Sequence, residues 1–357
     1  MVEDILNDYY QNPAVSQSHL KLLFGNPAVF NTIQEPEMYF EEKKHFIIGS
    51  GVDCLLTASP QEFHAKYHVS EVPNKPSDAL KSIINMSFDE VKVNHTEIGP
   101  IRNYPDVILR ACNEHAYQSR WGDELRVNKV CEYWEYWEDL KNSQGKQVLS
   151  QEEYLLIYQI AMSIRSHEVI GKYFIETPSV SIFYQYPIYF EYKGVECKAL
   201  LDMVYVDHVN RTIQPIDIKT VGDYVLNFPK SIRQRRYDIQ AAFYTEALKW
   251  EMEETAICNL PSDFEILPFK FIVQSSTMVG SPVIFTCDES LLQIGKFGRE
   301  ELVLDSGDEF YSVSGRIKGF DELIDLYKYY TENGFEVDQV IKDNNFELQV
   351  DWSGIIV

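Results

Sequence analysis

Basic side chains are scarce in this chain, and long hydrophobic runs are missing. Its 357 residues include 32 Lys and Arg against 55 Asp and Glu, which gives a formal net charge of −23. Phosphate contacts need Lys and Arg, so this charge argues against a protein that coats nucleic acid broadly, although it permits a local basic groove. No stretch approaches the ~20 apolar residues of a membrane helix, and the acidic start lacks the basic region of a signal peptide. We therefore expect a cytoplasmic protein with no membrane partner.

The six cysteines are scattered, with neither a C-x-x-C pair nor a Cys/His cluster. This scatter predicts neither a disulfide framework nor a zinc site. Because 45% of the residues are hydrophobic, the chain can bury a sizeable core. No repeat, low-complexity linker or shift in composition divides it, so we expect one domain over residues 1–357. Within it we distinguish an N-terminal arm (1–15), a mainly helical part (16–170), a catalytic sheet with helices (179–305) and a C-terminal helix and tail (306–357).

Capping residues and turn signals predict the order of the elements. Ser16 or Ser18 can cap a first short helix, and capping boxes begin further helices after Ser59 and Ser150. Residues 70–105 are rich in proline and are predicted to be irregular. Runs of Val, Ile, Tyr and Phe predict a hairpin over 179–205 and later strands over 269–275 and 282–287, and a helix is expected over 231–250. The prediction is an α/β fold with a mixed central sheet flanked by helices.

Two aspartates and a lysine stand out within this sheet. Asp217 and Lys219 are two apart in a segment that alternates as a strand, so their side chains leave the same face. Asp202 ends a preceding apolar run, and the turn at 207–211 returns the chain alongside it. Two carboxylates and an ammonium are therefore expected on neighbouring strands.

Such a set suits a divalent cation. Mg²⁺ prefers oxygen ligands and usually takes one or two protein carboxylates, which leaves positions for water and for a substrate phosphate. A nearby lysine can orient the attacking water or stabilise charge on a phosphoryl group. An exposed strand with a simple ion pair is the alternative interpretation of a D-x-K segment.

The ordered motif resembles the PD-(D/E)XK nuclease superfamily. There an Asp after an apolar strand, a D/E-x-K on the next strand and a Q-x-x-x-Y on the following helix form the active site. Here they are Asp202, Asp217-Ile218-Lys219 and Gln240-x-x-x-Tyr244. The resemblance implies a restriction-endonuclease-like fold, catalytic roles for Asp202, Asp217, Lys219, Gln240 and Tyr244, and a metal site at Asp202, Asp217 and Ile218.

Other segments resemble the exonuclease VIII (RecE-type) branch of phage recombination nucleases. These are Val15-Ser-Gln-Ser-His-Leu-Lys, Ile48-Gly-Ser-Gly-Val-Asp53-Cys-Leu-Leu and Gly145-Lys-Gln-Val-Leu-Ser-Gln-Glu-Glu153. Most relatives carry a metal-binding histidine where this chain has Asp53. Aspartate is itself a hard oxygen ligand, so Asp53 is a third candidate for the metal site, with a polar residue near a helix end as the alternative. A related branch carries an iron–sulfur cluster, but no cysteine triplet follows Cys287, so no such cluster is expected.

The basic residues are concentrated beside this motif. Lys230, Arg233, Arg235 and Arg236 fall between the D-x-K strand and the Q-x-x-x-Y helix. Beside a nuclease motif we interpret them as DNA-phosphate contacts, and a solvated helix face is the alternative.

The resemblance implies a Mg²⁺-dependent DNA exonuclease, with Mn²⁺ as a substitute, that acts 5′→3′ on ends of linear duplex DNA. It further implies a ring-like homo-oligomer and a single-strand annealing recombinase as partner, in a bacterial host with a phage or prophage. Two alternatives remain: a structure- or site-specific endonuclease of the same superfamily, and a non-catalytic module that binds DNA ends. Intact Asp202, Asp217 and Lys219 count against the last.

Overall fold

The computed structural model describes residues 2–24, 27–33, 44–72, 76–143, 146–254, 260–302 and 314–335. The chain divides into two compact units. Met1–Thr57 and Gln159–Val357 form one, called here the sheet unit, and Ala58–Tyr158 form the other, called the helical unit. The single-domain organisation expected from the sequence stays a prediction.

Four helices belong to the N-terminal part of the sheet unit. They are α1 (Val2–Gln11), α2 (Gln17–Leu22), α3 (Phe30–Ile33) and α4 (Lys44–Thr57). Ser16 caps α2, since its hydroxyl accepts a hydrogen bond from the His19 amide. Leu20 of α2 is fully buried in the core of this unit. The cap and this buried side chain together hold a helix of only six residues in place.

The helical unit follows. It contains α5 (Pro60–Lys66), β1 (Tyr67–Val69), α6 (Asp78–Asn94), α7 (Pro105–Glu114), α8 (Asp123–Cys131), α9 (Trp134–Asn142) and β2 (Gln147–Leu149), and α10 (Gln151–Arg165) begins in it. Helix α6 corrects the prediction that residues 70–105 are irregular. Its apolar residues recur every three or four positions, and Leu80, Ile83, Phe88 and Val91 are all buried.

A mixed sheet forms the centre of the sheet unit. Its strands are β3 (Val180–Tyr192), β4 (Val195–Asp207), β5 (Thr212–Val221), β6 (Glu265–Ile266), β7 (Lys270–Ser275) and β8 (Val283–Thr286). The order is β3-β4-β5-β7-β8, with the short β6 also paired to β5. Strand β5 runs parallel to β6 and β7, whereas β3–β4, β4–β5 and β7–β8 are antiparallel. The predicted α/β class with a mixed central sheet and flanking helices is confirmed.

Between β5 and β7 the chain forms two helices in place of the single helix predicted over 231–250. They are α11 (Phe228–Arg235) and α12 (Tyr237–Glu254), and Arg236 between them adopts a left-handed conformation with φ 51°. Arg236 therefore lies outside the helix that carries Gln240 and Tyr244. Helix α12 packs on β3 and β4 through fully buried side chains such as Phe243 and Leu248.

The remaining elements are α13 (Glu289–Phe297), β9 (Arg299–Leu302), β10 (Ser314–Ile317) and α14 (Phe320–Asn333). Helix α13 approaches α12 so closely that a methyl group at Gly295 would collide with the Asp238 carbonyl oxygen. This contact fixes the N-terminal turn of α12, which carries site residues. The predicted tail beyond residue 335 lies outside the described residues. Of the helices the structure describes, none has the length and apolar character needed to cross a membrane.

Candidate active site

Asp217 and Lys219 leave β5 on the same face, as the strand alternation predicted. Asp217 is only 1% exposed, and Lys219 Nζ lies 2.6 Å from its Oδ2 atom. Burial lowers the pKa of Lys219, but the carboxylates of Asp217 and Asp202 outweigh it and raise that pKa above its usual value. A charged amine is thus held against a buried carboxylate.

Asp202 projects from the neighbouring strand. It lies within β4, as the predicted hairpin over 179–205 implies. The Ile218 amide donates to Asp202 Oδ2 at 3.0 Å, so this side chain lies beside the peptide bond between Asp217 and Ile218. Burial raises the pKa of Asp202 well above its usual value, and the carboxylates of Asp217 and Asp53 raise it further. The site therefore concentrates negative charge that one lysine offsets only in part.

Helix α12 closes the site with Gln240 and Tyr244, four residues apart on one face. The Gln240 amide donates to Asp217 Oδ1 at 2.6 Å. Tyr244 is buried. Burial raises the pKa of its hydroxyl well above the usual value, and the nearby Tyr9 and Asp217 raise it further. That hydroxyl stays protonated and can donate a hydrogen bond.

Asp53 reaches the same region from α4. Its Oδ2 atom accepts a hydrogen bond of 2.9 Å from the Gln185 amide. Gln185 lies within β3 but has φ 46°, and β3 pairs with β4 on both sides of it, through Tyr184 with Met203 and Tyr186 with Leu201. A left-handed glutamine inside a strand is strained and persists only where its surroundings hold it, as is common at functional sites.

The donor set fits Mg²⁺ in part. Asp202 and Asp217 supply the two carboxylates that such an ion usually takes. Burial, and then the carboxylates of Asp217 and Asp53, raise the pKa of Asp202, and a divalent cation would stabilise its charged form. Over the described ranges, however, no group of three or more His, Cys, Asp or Glu side chains is arranged to hold a metal ion. Asp53 thus influences Asp202 electrostatically without joining the two carboxylates in such a group, and its role as a ligand stays a prediction.

The basic segment is divided by the break after α11. Lys230, Arg233 and Arg235 are exposed on α11. The Arg236 guanidinium instead binds the buried Asp238 carboxylate at 2.8 to 3.2 Å and the Lys318 carbonyl at 2.8 Å. A cavity of about 650 Å³ lies beside it, lined by Lys230, Ile232, Arg233, Arg236, Leu291 and Ile294 among others. Arg236 is therefore fixed within the protein, while the other three basic residues face solvent.

The sequence did not identify four residues that the structure places around this site. Gln185 orients Asp53, and Tyr237 packs against Lys219 with its ring centroid 5.0 Å from Nζ. Gln17 and Lys21 of α2 lie along α12. Gln17 and Lys21 are four residues apart in the Val15–Lys21 segment, which indicates that they share a helical face. The local sequence does not indicate which part of the protein that face contacts.

No protein-family model and no curated protein matches this chain. Among solved structures it is similar to a proposed exonuclease from Eubacterium rectale. The match has 13% sequence identity and a TM-score of 0.30, and it covers 66% of this chain and 77% of the other.

Proposed function

We propose that this chain is a metal-dependent nuclease that hydrolyses phosphodiester bonds in DNA. One observation carries the proposal: the buried Asp217 carboxylate is contacted at 2.6 Å both by Lys219 and by Gln240. Asp202 lies on the adjacent strand, so acid, lysine and amide converge from three elements in the order of the D…D-x-K…Q-x-x-x-Y motif. An ion pair that served only an exposed strand would not require a buried carboxylate with two donors.

The residues have distinct roles in this proposal. Asp202 and Asp217, with Ile218 and Asp53 as further candidates, would hold Mg²⁺, which when bound supplies charge neutralisation at the phosphate and makes water more acidic. Lys219 remains charged and stabilises the negative charge that develops on the phosphoryl oxygens. Gln240 holds Asp217 in one orientation, and the Tyr244 hydroxyl can donate to the DNA backbone or to a site oxygen.

The finer proposal rests on the resemblance to the exonuclease VIII branch. It is 5′→3′ digestion from the ends of linear duplex DNA, which leaves 3′ single strands for a phage-type annealing recombinase. A ring-like homo-oligomer around the DNA belongs to the same proposal. The exposed Lys230, Arg233 and Arg235 would contact phosphates of the bound duplex.

The test is release of labelled nucleotides from linear duplex DNA with Mg²⁺, with 5′ and 3′ labels in separate reactions. Early release of the 5′ label alone supports 5′→3′ digestion. Covalently closed DNA of the same sequence should resist, whereas its cleavage would support the endonuclease alternative.

Two variants accompany this assay. Asp217→Asn keeps the side-chain size but removes the charge that Lys219 and Mg²⁺ would share, so cleavage should fall at least about 100-fold. Asp207→Asn changes a partly exposed aspartate at the end of β4 and should cleave like the wild type. Binding of DNA ends without cleavage under every metal condition would instead support the non-catalytic alternative.

A further inference from the structure

Helix α2 packs against α12, the helix that carries Gln240 and Tyr244. Gln17 lies near the hydroxyl of Tyr244, in the first half of α12. Lys21, one turn further along α2, has its Nζ 5.9 Å from the ring centroid of Tyr237, the first residue of α12. Residues four apart share a helical face, so α2 presents Gln17 and Lys21 together toward the site.

The amines of Lys219 and Lys21 both lie near the Tyr237 ring. Lys219 Nζ lies 5.0 Å from its centroid, and Lys21 Nζ lies 5.9 Å from it. The two amines differ in how their charge is balanced. Lys219 has the Asp217 carboxylate at 2.6 Å, whereas the hydrogen bond of Lys21 goes to the Arg235 carbonyl at 3.4 Å, which is long for such a bond.

Lys21 is only partly exposed, and its electrostatic surroundings are unfavourable for a cation. Its pKa is lowered to about 8, chiefly by burial and then by Lys219, with a smaller effect of Arg236, while Asp238 and Asp217 act in the opposite direction. An anion placed between Lys21 and Lys219 would relieve the repulsion between the two amines. A DNA strand that enters the site brings such anions at regular spacing.

We propose that Lys21 binds a phosphate of the substrate strand next to the scissile phosphate, as a positioning residue of the site. This inference rests on the proposed nuclease function. The contact fixes the register of the strand, so the scissile phosphate meets Lys219 and the two aspartates. The ligand class is a phosphodiester, and the Val15–Lys21 segment thereby gains a role.

The alternative is that Lys21 only caps the C-terminal end of α11 through the Arg235 carbonyl. A substrate series separates the two roles. In short duplexes, each phosphate within two nucleotides of the cut is replaced in turn by an uncharged methylphosphonate. Cleavage by wild type, Lys21→Met and Lys21→Arg is then measured as kcat and KM.

If Lys21 contacts one phosphate, neutralising that phosphate raises the wild-type KM about 10-fold, as expected for loss of a charged hydrogen bond. Neutralising the same phosphate has little further effect on the KM of Lys21→Met, because that variant has already lost the interaction with it. Lys21→Arg retains sensitivity to that phosphate. If Lys21→Met is equally sensitive at every position, the contact does not exist.

The control is Lys172→Met, which removes an exposed lysine whose amine lies 5.3 Å from the Tyr173 ring centroid. It should retain the wild-type pattern. Binding of the same duplexes in EDTA, followed by fluorescence anisotropy, separates this inference from the proposed function. If the wild type does not cleave, the proposed nuclease function is contradicted. The Lys21 contact is still tested, because the binding assay shows whether Lys21→Met removes the effect of neutralising one phosphate. Absence of coupling in both assays overturns it.

Discussion

The side-chain amide of Gln240 donates a hydrogen bond of 2.6 Å to Oδ1 of the buried Asp217. Lys219 contacts the other oxygen of the same carboxylate at 2.6 Å. One aspartate is thus held by a helix on one side and by its own strand on the other. This arrangement fixes the orientation of Asp217 before any substrate arrives, which is what a preorganised catalytic carboxylate requires.

Gln240→Ala should therefore weaken both stability and catalysis. A hydrogen bond to a charged group contributes about 1.5–3 kcal/mol, so the free energy of unfolding should fall by about that amount and kcat by about 10-fold or more. Urea unfolding and the end-label assay measure the two effects. Gln293→Ala, in which an exposed glutamine of α13 is changed, is the matched control and should alter neither. Wild-type kcat in Gln240→Ala would remove Gln240 from the site.

Asp202 should destabilise the folded protein at neutral pH. Its pKa is raised by burial, then by Asp217 and Asp53, so the folded state binds its proton more tightly than the unfolded chain does. The stability that this proton contributes is present below the usual pKa of 3.8 and is lost as pH rises through the raised value. Asp202→Asn carries no such proton and can still accept from the Ile218 amide.

The expected result is that Asp202→Asn unfolds at higher urea than the wild type, by a margin that grows from pH 4 to pH 8 in metal-free buffer. Asp207→Asn gives the opposite sign as a control. Hydrogen bonds from Asn210 lower the pKa of Asp207, so its contribution is present at neutral pH and is lost on acidification. A margin for Asp202→Asn that stays constant with pH would contradict the electrostatic account.

The sequence predicted the parts of the site that depend on local periodicity. The alternation of β5 brings Asp217 and Lys219 to one face, and the spacing of four brings Gln240 and Tyr244 together on α12. Their catalytic and metal-binding roles stay predictions. The apolar spacing of α6 also indicates a helix, although the prolines around it favour an irregular segment.

The rest depends on contacts between distant parts of the chain. Arg236 breaks the predicted helix without a glycine or a proline, because Asp238 and the Lys318 carbonyl hold it. Gln185 is left-handed inside a strand rich in Val, Ile, Tyr and Phe, which favour extended backbone, and its partner Asp53 is 132 residues away. No local propensity encodes such pairs, so only the folded chain reveals them.

The exposed and fixed basic residues should behave differently when DNA binding is measured. Lys230→Ala with Arg233→Ala removes two exposed cations of α11, and the slope of log affinity against log salt should decrease by about two if both contact phosphates. An unchanged slope would mean that this face is merely solvated.

Arg236→Ala should act mainly on stability. It leaves the buried Asp238 carboxylate without its guanidinium partner, and breaking a buried pair costs about 3 kcal/mol. Thermal unfolding should show a clear loss for Arg236→Ala and little change for the exposed double variant. If Arg236→Ala is as stable as wild type, its ties to Asp238 and Lys318 carry little energy.

The metal requirement tests Asp53. If Asp53 shares the metal with Asp202 and Asp217, the site holds three carboxylates and favours Mg²⁺ and Mn²⁺ over softer, imidazole-preferring ions such as Co²⁺ or Ni²⁺. Asp53→Ala should then raise the Mg²⁺ concentration for half-maximal cleavage, by about 10-fold or more, and Asp53→His should recover activity in part.

Gln185→Ala should shift the requirement in the same direction but less, because it frees the Asp53 carboxylate to turn without removing it. Titrating Mg²⁺ and Mn²⁺ against cleavage rate for the four proteins decides the matter. If Asp53→Ala keeps the wild-type metal requirement and rate, then Asp53 only packs beside the site, and the strained backbone of Gln185 serves the positioning of α4 and not the metal.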